Sequence, residues 1–184
     1  MLRTLSCRIQ AGGSSFIVFI RSNFFIPDAR IGWNYHALKK ARKVIKKENI
    51  NLIITTGPPH STHLIGLKLK KEFQLKWVAD FRDPWSEVYY NHIFKRLSWA
   101  IKKDRSLELK VLKNADRVLT VGMKLKKLLA AKINTNINKF HHIYNGYDAE
   151  LMENLKVDKH DHFELTFVGV LTSNQPYMCV IEAI

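Results

Sequence analysis

The chain has 184 residues, 46% of them hydrophobic and 25% charged, a composition that supports a folded domain with its own core and excludes a chain disordered throughout. Thirty Lys and Arg against 16 Asp and Glu give a formal charge of +14 and a pI near 9.8. That excess implies attraction to a polyanion, whether a phosphate-rich ligand, an anionic membrane surface or nucleic acid. Cys7 and Cys179 lie too far apart to form a disulfide or metal pattern, and no apolar run approaches the ~18 residues of a membrane span. Both observations point to free thiols in a reducing, cytoplasmic setting.

Residues 1–23 show no clear period. Within them, 16–20 form a short apolar patch without a cleavage site, and Gly12-Gly13 follows no apolar strand, so neither a leader peptide nor a phosphate loop is read there. Residues 24–33, apolar and punctuated by Pro27 and Gly32, predict a packed loop leading into a helix over about 33–48. That helix places Ala37, Ala41, Val44 and Ile45 on one stripe and lysines on most of the rest. The basic face is either a solvated outer surface or a surface resting on anionic headgroups.

The chain is organised around residues 51–85. A short β-branched run at 52–55 stops at Gly57-Pro58-Pro59, which predicts a buried parallel strand. Ser61 and Thr62 offer N-cap hydroxyls to a helix carrying Leu64, Ile65, Leu67 and Leu69. A second strand at 76–79 empties into Asp80-Phe81-Arg82-Asp83-Pro84-Trp85. Both loops therefore leave the carboxyl ends of neighbouring strands, where open α/β sheets collect ligands. Further on, the pattern predicts a long basic helix over 91–114, a strand at 116–121, a short helix over 123–132 and a strand at 140–144. A polar linker at 150–161 and a fifth strand at 163–168 complete the pattern. Strands alternating with helices at this spacing indicate a Rossmann-like parallel sheet with flanking helices.

Several residues in the two loops can carry chemistry. Gly57 lets a ligand approach the backbone, and the helix start at Ser61 aims free N–H groups at the crevice. A phosphate suits that place, as does a sugar hydroxyl held by His60 or Ser61; a capped helix with incidental histidines is the structural alternative. His60 and His63 lack a visible third ligand, so no metal is implied. Asp80 and Asp83 around Arg82 can bind hydroxyls bidentately, orient a water, or neutralise one another. Neither a Gly-x-Ser-x-Gly elbow nor a Walker A sequence is present. His141, His142, His160 and His162 are assigned no role.

The runs IPDARIGW, TGPPHSTHLIGLKLKK, WVADFRDPW and NGYD together resemble family 4 glycosyltransferases with a family-4-like N-terminal domain. The resemblance covers about residues 21–184. It implies a GT-B fold of two Rossmann-like domains, with the acceptor mostly on the first and the nucleotide-sugar donor mostly on the second. It also implies retaining, metal-independent transfer of a sugar to a glycan or lipid-linked acceptor, with the nucleotide-sugar as substrate and no cofactor. In this setting Gly57, His60, Ser61, Asp80, Arg82 and Asp83 correspond to acceptor-side positions, with His60 and Asp83 the catalytic candidates. Asn145, Gly146 and Asp148 correspond to the turn into the interdomain crossing. Gly169 and Asn174 fall on the donor side, where this chain has TSNQP in place of the family's usual Arg.

The expected organisation is a poorly defined segment at 1–23, a Rossmann-like acceptor-side domain at 24–149, a linker at 150–161 and the start of a donor domain at 162–184. On that reading the polypeptide is an incomplete GT-B piece without transferase activity alone, cytoplasmic or peripheral on the inner face of the plasma membrane. Two other readings stand beside it. One is a basic non-enzymatic module for membrane or nucleic acid. Nucleic acid is its weaker branch, because no aromatic platform with interleaved cations is visible. The other is a GT-B nucleotide-sugar epimerase, which shares the architecture.

Overall fold

The computed structural model describes residues 15–88, 91, 94–153, 161, 164–169, 178–179 and 182. It divides into two units, residues 1–145 and residues 146–184. The first holds an all-parallel sheet in the order β1-β2-β3-β4, made of Leu52–Gly57, Lys76–Phe81, Arg117–Thr120 and Phe140–His142. Helices α1 (Ser15–Phe24), α2 (Asn34–Glu48), α3 (Ser61–Phe73), α4 (Ser98–Asn114) and α5 (Met123–Ala131) accompany it, with a 3-10 turn at Ile31–Trp33. The α/β Rossmann-like arrangement expected from the alternating pattern is present.

Strand alternation decides where the core sits. Side chains of Trp77, Ala79, Phe81, Val118 and Phe140 point to one face and are fully buried against α4 and α5 through Val111, Leu112 and Leu129. On the same side, α2 packs Leu38 and Ile45 against Ile65, Leu69 and Leu75. The α2 stripe is thus centred on Leu38 and Ile45, while Val44, read from the sequence as part of it, is 41% exposed. The opposite face of the sheet leaves Leu52 and Ile54 of β1 48% and 63% exposed. Gly66 permits the close seating of α3, since a Cβ there would lie 2.4 Å from the Trp77 indole nitrogen.

Four elements differ from the sequence expectations. Helix α1 forms where no period was legible. The long helix begins at Ser98, because Asn23 at the end of α1 bonds the segment before it: its Nδ2 donates to the Lys95 carbonyl at 3.1 Å and its Oδ1 accepts from Leu97 N–H at 2.6 Å. In the second unit, Ala149–Glu153 forms a short helix, α6, inside the expected linker. Residues 164–168, expected as a strand, do not form one, and Phe163 lies outside the described residues.

Candidate functional site

In-register pairing of Gly57 with Phe81 sets the ends of β1 and β2 side by side. The loop after β1 passes through cis peptide bonds at Gly57-Pro58 and Pro58-Pro59 and delivers His60, only 7% exposed. Its ring stacks on Trp85 at 5.0 Å and 8°. Neither ring nitrogen has a well-formed hydrogen-bond partner. Burial lowers the His60 pKa, opposed by the charges of Asp28, Asp104 and Asp83 and by the nearby Pro84 carbonyl. The ring is therefore a neutral imidazole near pH 7, able both to donate and to accept.

His60 borders a cavity of about 390 Å³ walled by Val18, Phe25, Pro27, Pro59, Trp85 and Val88. Its polar lining is Arg21, Ser22, Asp28, His60, Asn91 and the Arg96–Asp104 pair at 2.8 Å. An apolar pocket with a handful of fixed polar groups is the usual form of an organic-ligand site.

The wall is braced from α4. Asp104, 2% exposed, accepts from the Trp85 indole at 2.7 Å and from Arg96, which also donates to the Ser22 carbonyl. One turn later, Glu108 accepts from Ser86 at 2.6 Å and from Lys132 at 2.8 Å. The loop after β2 is thereby held by two buried carboxylates on one helix stripe.

Helix α3 starts differently from the sequence expectation. Asp28, 33 residues upstream, accepts from Ser61 N–H at 2.8 Å and from its hydroxyl at 2.9 Å. A carboxylate of the protein thus holds the place where a phosphate was considered, and the Ser61 hydroxyl is engaged as well. His63 is fully buried. Thr55 Oγ1 accepts from the Trp77 indole at 2.9 Å and shares a 2.9 Å hydrogen bond with His63 Nδ1. His63 Nε2 lies against Gly57. Burial, with the neighbouring His60, pushes the His63 pKa down to about 3. Its role is packing.

The remaining sequence-selected residues lie outside the cavity wall. Arg82 is exposed and donates to Asn145 Oδ1 at 3.0 Å, tying the β2 loop to the segment that follows β4. Asp80 is half-buried on β2, and Asp83 is exposed. Gly57 sits beneath the two imidazoles, where a Cβ would lie 2.7 Å from His63 Nε2. Gly169 is exposed in the second unit, and Asn174 lies outside the described residues. Sequence reasoning missed Asp28, Trp85, Arg96 and Asp104 as parts of the site. A signal existed for one of them: Asp104 falls in helical register with Ala100, Glu108 and Val111, an acid on an apolar stripe. Among the described residues, no group of His, Cys, Asp and Glu is arranged to hold a metal ion.

Residues 7–151, well over half of the chain, match the family Glycosyltransferase Family 4. No curated protein matches the chain.

Proposed function

The chain belongs to glycosyltransferase family 4, and from that premise we propose that its β1–β2 end holds the acceptor during transfer of a sugar from a nucleotide-sugar to a glycan or lipid-linked acceptor. One observation carries this reading: His60, whose ring nitrogens have no well-formed hydrogen-bond partner in the protein, borders a cavity with mostly apolar walls. A sugar ring fits such a place, with its C–H faces against Phe25, Pro27 and Pro59 and one hydroxyl on the imidazole.

The chemistry asks little more of this half of the reaction. The acceptor oxygen forms a bond to the anomeric carbon as the bond to the nucleoside diphosphate breaks. The hydroxyl proton passes to the departing diphosphate oxygen, and a neutral His60 can hydrogen-bond to that hydroxyl and help position it. Arg82 and Asp83, exposed on the loop after β2, can bind further hydroxyls of a larger glycan. Peripheral placement on the cytoplasmic face of a membrane belongs to the same proposal and is favoured by the charge of +14.

Saturation-transfer NMR with a panel of soluble glycosides tests the assignment. Signals are expected for at least one glycoside, with loss in His60→Ala and only modest weakening in Arg82→Ala. A panel without any binder, or binding that survives His60→Ala, overturns it.

A further inference from the structure

Beside the mouth of the cavity runs a stripe of exposed apolar and cationic side chains. On α1, Ile17, Arg21 and Phe24 follow one another at helical spacing, and Ile17 and Phe24 are 60% and 61% exposed. The Phe24 ring meets Trp99 of α4 edge-on at 5.6 Å, and Trp99 is itself 43% exposed. One turn further along α4 stand Lys102 and Lys103, both exposed. Phe16 and Leu97 extend the apolar part, and Lys95 adds a cation beside it.

The order of chemistry along this surface is specific. Water-facing helices of folded domains do not as a rule present Phe, Ile and Trp in a contiguous row. Trp and Phe flanked by Lys and Arg are the composition of a surface that lies in a lipid headgroup layer, rings in the acyl boundary and cations among the phosphates. A protein partner with an acidic rim would satisfy the cations, yet the net charge of +14 favours an extended anionic plane over a single small patch.

We propose that this stripe, from Ile17 through Phe24 and Trp99 to Lys103, docks the protein on an anionic lipid bilayer. The cavity lies alongside: Val18, Arg21, Phe25 and Phe94 belong to or adjoin the stripe and also line the cavity. Docking therefore opens that cavity at the membrane surface, toward acceptors anchored in the same bilayer. This last consequence rests on the acceptor reading of the cavity; the docking itself does not. It also puts the membrane contact on α1 and the start of α4 rather than on the lysine face of α2, for which the sequence left a solvated surface and a headgroup contact as alternatives.

The test is co-sedimentation with vesicles of phosphatidylcholine alone and of phosphatidylcholine with phosphatidylglycerol, run beside duplex DNA over a salt series. The protein is expected to pellet with the anionic vesicles and to release as salt rises. Phe24→Ser with Trp99→Ser is expected to weaken this by at least ~10-fold, because each buried methylene-sized group contributes about 0.8 kcal/mol. Lys102→Gln with Lys103→Gln should cost about 25-fold, about fivefold per cation worth about 1 kcal/mol near an anionic surface. That second pair keeps the test open if the first fails to fold. Lys39→Gln with Lys43→Gln on α2 should change binding much less.

Stripe variants that bind vesicles like the wild type overturn the proposal, as does an α2 variant that loses as much, or a wild type that prefers DNA. Binding of soluble glycosides, measured on the same variants, separates the two readings. Vesicle binding without any glycoside binding sinks the acceptor assignment alone, and glycoside binding without vesicle binding sinks only the docking.

Discussion

Replacing Asp104 should cost more stability than replacing any exposed acid of this chain. Its side chain is 3% exposed and that of its partner Arg96 is 7% exposed. Asp104→Ala leaves the guanidinium buried without its counter-charge, a loss of about 3–5 kcal/mol. The Trp85 indole N–H loses its acceptor in the same step, worth about 1–3 kcal/mol for a buried orphan donor. The two losses share one site and do not add fully, so about 3–5 kcal/mol is expected in total. Against the ~5–15 kcal/mol that holds a typical domain together, that is about a fifth of the margin or more. Urea unfolding followed by circular dichroism reads it as a lower midpoint at unchanged slope. The double variant Arg96→Met, Asp104→Leu removes both charges and should recover much of the loss. A single variant within ~1 kcal/mol of the wild type, or a double variant no better than the single, would falsify the claim that α4 braces the cavity wall through this pair.

Acidification should weaken the fold through the buried imidazoles. His63 is held near pKa 3 against an ordinary value of 6.5, so the folded form resists a proton that the unfolded chain accepts. The stability is full above pH 6.5 and falls as pH drops toward 3, at about 1.4 kcal/mol per pH unit, with His60 acting in the same direction. Urea midpoints taken between about pH 6.5 and pH 4.5 should show that slope, and His63→Gln should flatten it; identical slopes would dismiss the assignment. Gly66→Ala sets a methyl 2.4 Å from the Trp77 ring, and overpacking of this kind should cost about 1–3 kcal/mol with a changed near-ultraviolet dichroism. Asp28→Ala strips the start of α3 of its acceptor, for an expected ~1 kcal/mol. Faster amide exchange in the first turn of α3 would register it, and unchanged exchange there would show that the cap is idle.

What could be read from the sequence was what is local. The β-branched run before Gly57, and the run from Lys76 into Phe81, specify β1 and β2 by period and punctuation alone. Because both strands are parallel, their carboxyl ends and the loops of interest had to share an edge. Helix α1 escaped detection because 16–20 is apolar without interruption, and periodicity has nothing to measure in such a run. The start of α4 was misplaced because Asn23, more than 70 residues away, holds Lys95 and Leu97 out of the helix. Asp28 capping Ser61 is the same kind of event, since no window on the helix contains its cap. His60 and His63 look alike as letters, yet only His60 lines the cavity; Thr55 of β1, itself held by the Trp77 indole of β2, bonds the other.

The exposed apolar pair on β1, where Ile54 stands 63% exposed beside Leu52, has a bearing on how this protein must be handled. All-parallel sheets are ordinarily sheathed on both sides, and here one greasy strip meets water on a molecule of charge +14. Neighbouring molecules are then kept apart by mutual repulsion rather than by a polar coat. Added salt shortens the reach of that repulsion while leaving the attraction between strips intact. Concentrated samples should therefore turn cloudy as ionic strength rises, and a polar residue in place of Ile54 should keep them clear.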